Sequence, residues 1–467
     1  MRLQRSEIAA ANAWANPLAG AGKGERAICN WDEDAITLAV EAGRDAIRDL
    51  DRNAIRSVRL ASTTLPFLDR LNSAVVVEAL GLPPEVSAID YAGSQRAATS
   101  ALIQALQADE TQLLVSAEKR DAKSGSVVEL TAGDAGVAVV VGEGEALALP
   151  LAWHSVTLDF VDHYRTASSG GDSFWEERWI RDAGYMDAIP EAIAETLRKA
   201  GVAASEIAHF CAPMADQRAA SQIARKVGMA SDALRDSLAA TCGHAGAAHP
   251  MLMLASALEA AMPGDKILAV GFGQGVDVVL FEATADVARP SGRTGLRGSL
   301  ARRREERNYH RFLAINDVAD FDRGMRAEQD KLTPMSVQWR NRDAITGFFG
   351  GKCAACGTAQ FPKSRICVNP DCGAIDTQER EPFADKVGTV NSYTADNLTY
   401  TPDPPACYGM IQFPGGGRWM MDFADVRQED LSVGMTMKMA FRIKDIDRQR
   451  GYRRYFWKAV PEHMGVA

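Results

Sequence analysis

No apolar stretch in the 467 residues approaches the roughly 20 residues that a membrane helix needs; the longest runs resemble Gly136–Gly142. The first thirty residues lack the charged start, apolar run and small-residue cleavage site of a secretory signal, so a cytoplasmic protein is expected. Positive charge is not in excess either. With 52 Lys+Arg against 61 Asp+Glu the formal charge is −9, which argues against nucleic acid as the main partner, since sequence-independent phosphate binding needs a basic face. Cysteine is sparse and unevenly placed: four of eight lie between Cys353 and Cys372, while Cys29, Cys211, Cys242 and Cys407 are scattered. That distribution excludes a disulfide framework and points to one metal site in a reduced compartment.

What is present is an α/β pattern that occurs twice in the first 285 residues. Ser100–Gln107 reads as a helix of small and apolar residues, followed by strand Gln112–Ala117, a polar turn and strand Gly136–Gly142. The helix Met251–Ala261, the strand Lys266–Val270, a Gly-rich turn and the strand Val276–Glu282 repeat the order. Such continuous apolar strands are expected where helices cover both faces of a sheet, so the spacing predicts a layered body of two similar halves. Asp34–Leu50 and Ala188–Ala200 are the candidate outer helices. Seven arginines with Pro290 and three glycines mark 286–310 as a linker, and its arginines read as solvated before they read as a phosphate site. A helical segment, 311–349, is expected next. Five short alternating runs follow, Gly388–Tyr393, Cys407–Phe413, Arg418–Asp422, Met435–Arg442 and Arg453–Val460, enough for a small closed barrel.

Cys353-x2-Cys356 and Cys367-x4-Cys372 supply four thiolates from two knuckles, the donor set of a tetrahedral zinc ribbon over 350–376. Four protein ligands leave no open coordination position, so the zinc is structural. Gly357 and Gly373 relax the backbone where each knuckle turns.

A ribbon of this spacing, with Gly388–Tyr393, Gly415-Gly416-Gly417 and Gly434–Phe441 behind it, resembles the zinc-ribbon/OB-fold proteins that accompany thiolases. The first 285 residues resemble the thiolase superfamily, in the branch of archaeal-type hydroxymethylglutaryl-CoA synthase and ketoacyl synthase III. The matching stretches include Arg2–Ile8, Gly93–Thr99, Gly133–Gly136, Asp159–Arg165, Glu176–Trp179, Gly243–Pro250 and Gly271–Gly275. The resemblance implies a duplicated thiolase fold (layered α-β-α-β-α, halves 1–150 and 151–285), then a rubredoxin-like ribbon and an OB-fold barrel over 377–467. It also implies a coenzyme A thioester as substrate or ligand, and a homodimer through the thiolase half, with a further thiolase-like chain as a possible partner. Family members begin with a strand ahead of the segment matching Arg2–Ile8, so the expectation is either that this edge or core strand is missing or that the true start lies upstream.

At the reactive positions the resemblance departs from the family. The acyl-accepting cysteine at the start of the central helix corresponds to Gln95, which cannot form a thioester. The family glutamate corresponds to Thr63, the histidine falls near Met214, and the asparagine becomes His244. A strict hydroxymethylglutaryl-CoA synthase is therefore not expected. The remaining groups suit enolate chemistry at a thioester: Gln95 and the backbone of Gly273–Gly275 as oxyanion donors, His244 or His249 as base, and Asp216, Tyr91 and Cys242 as lesser candidates. Retro-aldol cleavage or decarboxylation needs no acyl-enzyme. The alternative is a CoA-binding scaffold that serves a separate enzyme. His154, His163, His209, His310 and His463 are read as surface or packing residues, and Trp31, Trp175 and Trp179 as core anchors.

Overall fold

The computed structural model describes residues 1–17, 22–169, 171–214, 216–289, 292–322, 324 and 334–462. Pro290 of the expected linker, 325–333 of the expected helical segment, and His463 with the end of the OB region lie outside them. No helix among the described residues is long and apolar enough to cross a membrane.

The chain divides into two units: Met1–Cys29, Asp34–Ala74 and Glu85–Phe312 form the first, and Asn30–Glu33, Val75–Pro84 and Leu313–Ala467 the second. The first holds two four-stranded sheets with matching cores. In one, Ser57–Ala61 runs parallel to Ser87–Tyr91 and to Gln112–Glu118, which pairs antiparallel with Ala135–Val141. In the other, Ile207–Cys211 runs parallel to Lys266–Phe272, which pairs antiparallel with Gly275–Ala283 and so leads to Ala148–Thr157 at the edge.

The helices Ala97–Leu106 and His249–Leu258 lie in the shared middle layer. Both are apolar on nearly every side, as a helix covered on all faces must be. Small residues such as Ala98, Ala101, Ala247, Ala248 and Ala257 let backbone approach backbone there. Outer helices complete the layering. Ala35–Ala46 covers the first sheet, started by Asp34, whose carboxylate accepts the Ile36 and Thr37 amides while Thr37 bonds back. Met186–Ala200 and Gln217–Val227 cover the second, each ended by a left-handed glycine, Gly201 and Gly228. This is the expected α-β-α-β-α arrangement.

The stretch expected as a solvated linker is built into this unit. Gly295–Ala301 is a helix whose leading amides bond Asp45 and Glu259, and Glu305–Glu306 pairs with Arg2–Leu3. Arg289, Arg297 and Arg303 pair with Glu145, Glu259 and Glu25, so carboxylates already partner these arginines.

In the second unit, short helices at Met335–Arg340 and Arg342–Ile345 precede a three-stranded ribbon, Ala359–Gln360, Phe349–Cys353 and Gln378–Pro382. The five expected strands follow as one sheet, Arg418–Asp422, Ala406–Gln412, Gly388–Asp396, Thr436–Asp447 and Tyr452–Pro461 in spatial order. Its ends meet where Phe423 bridges Ala459 and the Ala424 amide bonds the Ala459 carbonyl at 2.9 Å, closing a barrel around Phe413, Met437, Met439, Phe441 and Trp457.

Candidate active site

Gln95 lies one residue ahead of Arg96, the N-cap of the central helix Ala97–Leu106, and its neighbours fix it against the turn Gly273-Gln274-Gly275. Ser94 Oγ and Arg96 Nε both donate to the Gly273 carbonyl, at 2.8 and 3.1 Å. Arg96 Nη1 reaches Asp277 at 2.9 Å, and Ser155, Thr99 and Ser100 hydroxyls donate to the same fully buried carboxylate at 2.6, 3.0 and 2.6 Å. A Cβ on Gly273 would lie 3.0 Å from the Gln95 nitrogen and 2.7 Å from Ser94 Oγ, so glycine is what allows the turn this close. The Gly273 amide bonds the Gly275 carbonyl at 3.0 Å and is not free as an oxyanion donor in this conformation.

The Gln95 amide opens a polar chain that the sequence reading did not find. Its Nε2 lies 3.0 Å from His163 Nε2, His163 Nδ1 lies 3.0 Å from Asp162 Oδ2, and Gln274 Nε2 donates to Asp162 Oδ1 at 2.8 Å. A carboxylate can only accept, so Nδ1 carries the ring proton and the Nε2 lone pair faces the Gln95 amide. The ring stacks on Phe174 at 5.6 Å, and the Trp175 amide bonds the Asp162 carbonyl at 3.1 Å. His163, read as a packing residue, is thus oriented on three sides. The only sequence cue was the adjacent Asp162-His163 pair in a polar stretch between a strand and a helix.

His244 and His249 come together, ring centroids 4.4 Å apart, but both are committed to backbone. His244 Nε2 donates to the Pro213 carbonyl at 2.7 Å while its Nδ1 accepts the Gly246 amide at 3.2 Å. Burial first, then the neighbouring His249 and Arg120, hold its pKa well below the ordinary value. His249 Nδ1 accepts the Ala245 amide at 3.2 Å, and burial lowers its pKa to about 4. Neither ring offers a free lone pair in this arrangement.

Thr63 donates its amide (2.6 Å) and hydroxyl (3.0 Å) to Glu118, and Thr64 adds a hydroxyl at 2.8 Å. Glu118, also missed from sequence, is fully buried; burial pushes its carboxyl upward, against Arg120 and these donors. Beyond Thr63, Arg165 donates to its carbonyl, and Arg165 and Arg120 share Asp172. Asp216 caps Gln217–Val227 by accepting the Arg218 amide at 2.9 Å. The phenol of Tyr91 donates to Gln104 at 2.7 Å. Trp175 and Trp179, expected in the core, are 63% and 50% exposed: Trp179 only stacks on Phe160 at 5.9 Å, while the charged neighbours Glu176, Glu177 and Arg178 keep the segment at the surface.

Cysteine chemistry in this unit is muted. Cys29, Cys211 and Cys242 are buried. Burial raises the thiols of Cys211 and Cys242 to about 12 and about 11, and each donates to carbonyls, Met253 for the first and Leu238 and Gly243 for the second.

In the second unit Cys353, Cys356, Cys367 and Cys372 bring four sulfurs within 4.8 Å of one another, with 3.9 Å between Cys353 and Cys372 and 3.6 Å between Cys356 and Cys367. A tetrahedral zinc with Zn–S bonds of about 2.3 Å needs sulfurs roughly 3.8 Å apart, so the donor set fits zinc with no position left open. Gly357 and Gly373 take left-handed φ of 75° and 55° at the two knuckles. The Thr377 hydroxyl, 3.1 Å from Cys353 Sγ, supplies an outer hydrogen bond.

Two family models match parts of the chain. Residues 197–280 match the C-terminal domain of 3-oxoacyl-[acyl-carrier-protein] synthase III, and 347–376 match the rubredoxin-like zinc ribbon of ChsH2. A hydroxymethylglutaryl-CoA synthase of Pyrobaculum arsenaticum is 28% identical over 285 residues, covering 58% of this chain and 80% of that protein. Among solved structures, MvaS in complex with 3-hydroxy-3-methylglutaryl coenzyme A superposes with a TM-score of 0.58 at 18% identity, covering 71% of this chain and 91% of the other. An HMG-CoA synthase complexed with CoA gives 0.57 at 17%, covering 82% and 96%. The body of the chain has the thiolase fold, and a ChsH2-type zinc ribbon follows it.

Proposed function

We propose that the first unit binds a coenzyme A thioester and makes or breaks a carbon–carbon bond beside its carbonyl without storing the acyl group on a cysteine. The observation that carries this reading is Gln95, an amide at the start of a buried helix, held against Gly273, in a unit whose thiols are buried and, for Cys211 and Cys242, kept protonated. An amide N–H there, at the positive end of a ten-residue helix, suits the negative oxygen of a thioester enolate. The coenzyme is inferred from the names of the relatives and from the ligands of the similar structures.

Retro-aldol cleavage and decarboxylation both pass through that enolate, and neither needs an acyl-enzyme. The zinc is proposed as a structural clip of the ribbon. We also propose a homodimer through the thiolase body: Ser87–Tyr91 is an edge strand with Ile89 46% exposed, and light scattering at micromolar concentration should give twice the chain mass.

Incubating the full chain with a panel of 3-hydroxyacyl-, 3-oxoacyl- and malonyl-CoA esters, with products followed by liquid chromatography and mass spectrometry, tests the reading. At least one ester should lose a carbon–carbon bond with no free CoA consumed. Binding of the esters with no turnover of any would favour a CoA-binding scaffold instead.

A further inference from the structure

We propose that His163 is the proton-transferring base of this site, positioned by Asp162 and Gln274, and that the substrates are 3-hydroxyacyl thioesters. The inference rests on the reading above and narrows it. Decarboxylation needs no base to start, because the departing carboxylate supplies the electron pair, whereas cleavage of a 3-hydroxyacyl thioester must first take up the proton of the hydroxyl. The structure provides a built acceptor for that proton.

Three features mark the acceptor. His163 points its Nε2 lone pair at Gln95 because Asp162 holds the proton on Nδ1. Asp162 is fixed in turn by Gln274, which reaches it at 2.8 Å from a left-handed conformation, φ 50°. That conformation is strained for a non-glycine residue, and between Gly273 and Gly275 a third glycine would avoid the strain. The amide of Gln274 is what a glycine could not supply. Finally, the other two nearby imidazoles, His244 and His249, already have ring nitrogens committed to backbone.

The step balances. A substrate hydroxyl replaces the Gln95 amide as the partner of Nε2, and Nε2 takes its proton. The oxygen's electron pair forms a carbonyl at C3, the C2–C3 bond breaks, and its electrons pass through C2 to the thioester oxygen, which accepts the released N–H of Gln95. The proton on Nε2 then returns to C2. A ketone or aldehyde and a shortened acyl thioester leave, with no oxidant or reductant.

Two measurements on the full chain test this. With 15N-histidine labelling, the His163 signal, assigned by its loss in His163→Gln, should show the neutral Nδ1–H tautomer and should change in both Asp162→Asn and Gln274→Gly. Gln274→Gly should melt no lower than the wild type, since the backbone relaxes, which separates positioning from mere stability. An Nε2–H tautomer, or a signal indifferent to Asp162→Asn, would overturn the assignment. In turnover with a chain-length series of 3-hydroxyacyl-CoA esters, His163→Gln should lower kcat about 10²–10⁴-fold with ester binding unchanged. A wild type that cleaves such esters while His163→Gln keeps its rate overturns the base and leaves the thioester reading standing. Decarboxylation of malonyl-CoA alone overturns the substrate class, and inertness towards every ester overturns the functional reading and this inference with it.

Discussion

Replacing Asp277 removes the carboxylate on which the start of the central helix is built. It is fully buried on the Gly275–Ala283 strand and carries four hydrogen bonds, Arg96 and Ser155 on one oxygen, Thr99 and Ser100 on the other. Asp277→Ala leaves Arg96, itself mostly buried, without its countercharge; breaking a buried pair from one side costs about 3–5 kcal/mol. Asp277→Asn keeps the shape. The Thr99 and Ser100 hydroxyls can turn to accept its amide, and Thr99 retains a 2.9 Å bond to the Arg96 carbonyl, so mainly the charge is lost, about 1.5–3 kcal/mol. Native-state hydrogen exchange of the Ala97–Leu106 amides reads this directly. Protection should fall roughly 10²- to 10³-fold or more in Asp277→Ala and by a smaller factor in Asp277→Asn, at about tenfold per 1.4 kcal/mol. Should Asp277→Ala fail to fold, Asp277→Asn still carries the test. A loss of less than tenfold in Asp277→Ala, or equal losses in both, would refute the claim that this charge pair anchors the helix that presents Gln95.

Gly273→Ala would push a methyl to within 2.7 Å of Ser94 Oγ and 3.0 and 3.1 Å of the Gln95 and Arg96 nitrogens, so kcat should drop about 10²-fold through misplacement of Gln95, checked against unchanged ester affinity. His249 is neutral in the fold, with its pKa lowered from 6.5 to about 4, so the unfolded chain takes up its proton first as pH falls; that stability is intact above about pH 6.5 and is lost below it. Between pH 7 and 5 the wild type should therefore lose about 2 kcal/mol more than His249→Gln in denaturant titrations, the order of 1.5 pH units at 1.36 kcal/mol each. Elemental analysis should find one zinc per chain, and Cys353→Ser should abolish it and lower the melting temperature of the second unit; full stability without zinc would contradict a structural role.

Elements whose burial comes from continuous apolar runs were legible in the sequence. Gln112–Glu118, Ala135–Val141, Lys266–Phe272 and Gly275–Ala283 begin and end within a few residues of the expected strands, because a sheet covered on both faces selects for unbroken apolar character. The barrel strands were legible by alternation, and the ribbon by cysteine spacing. The polar core of the site was not. His163 meets a partner 68 residues earlier, and Glu118 ends an apolar strand to meet Thr63 and Thr64, 55 and 54 residues away; no local periodicity encodes such pairings. Residue type misled at Trp175 and Trp179, where an aromatic was read as burial although its charged neighbours keep the segment in water. It also misled at His244, whose place beside the reactive loop carries no hint that both nitrogens are bound by backbone.

Intact-protein mass spectrometry during turnover bears most directly on Gln95. With a 3-hydroxyacyl-CoA ester that the protein cleaves, the chain mass should stay constant while the ketone or aldehyde and the shortened thioester accumulate. A stable increase equal to the acyl group, abolished by Cys242→Ala or by replacement of another cysteine, would show that a thiol carries the acyl group and that carbon–carbon chemistry without an acyl-enzyme is the wrong description of this site.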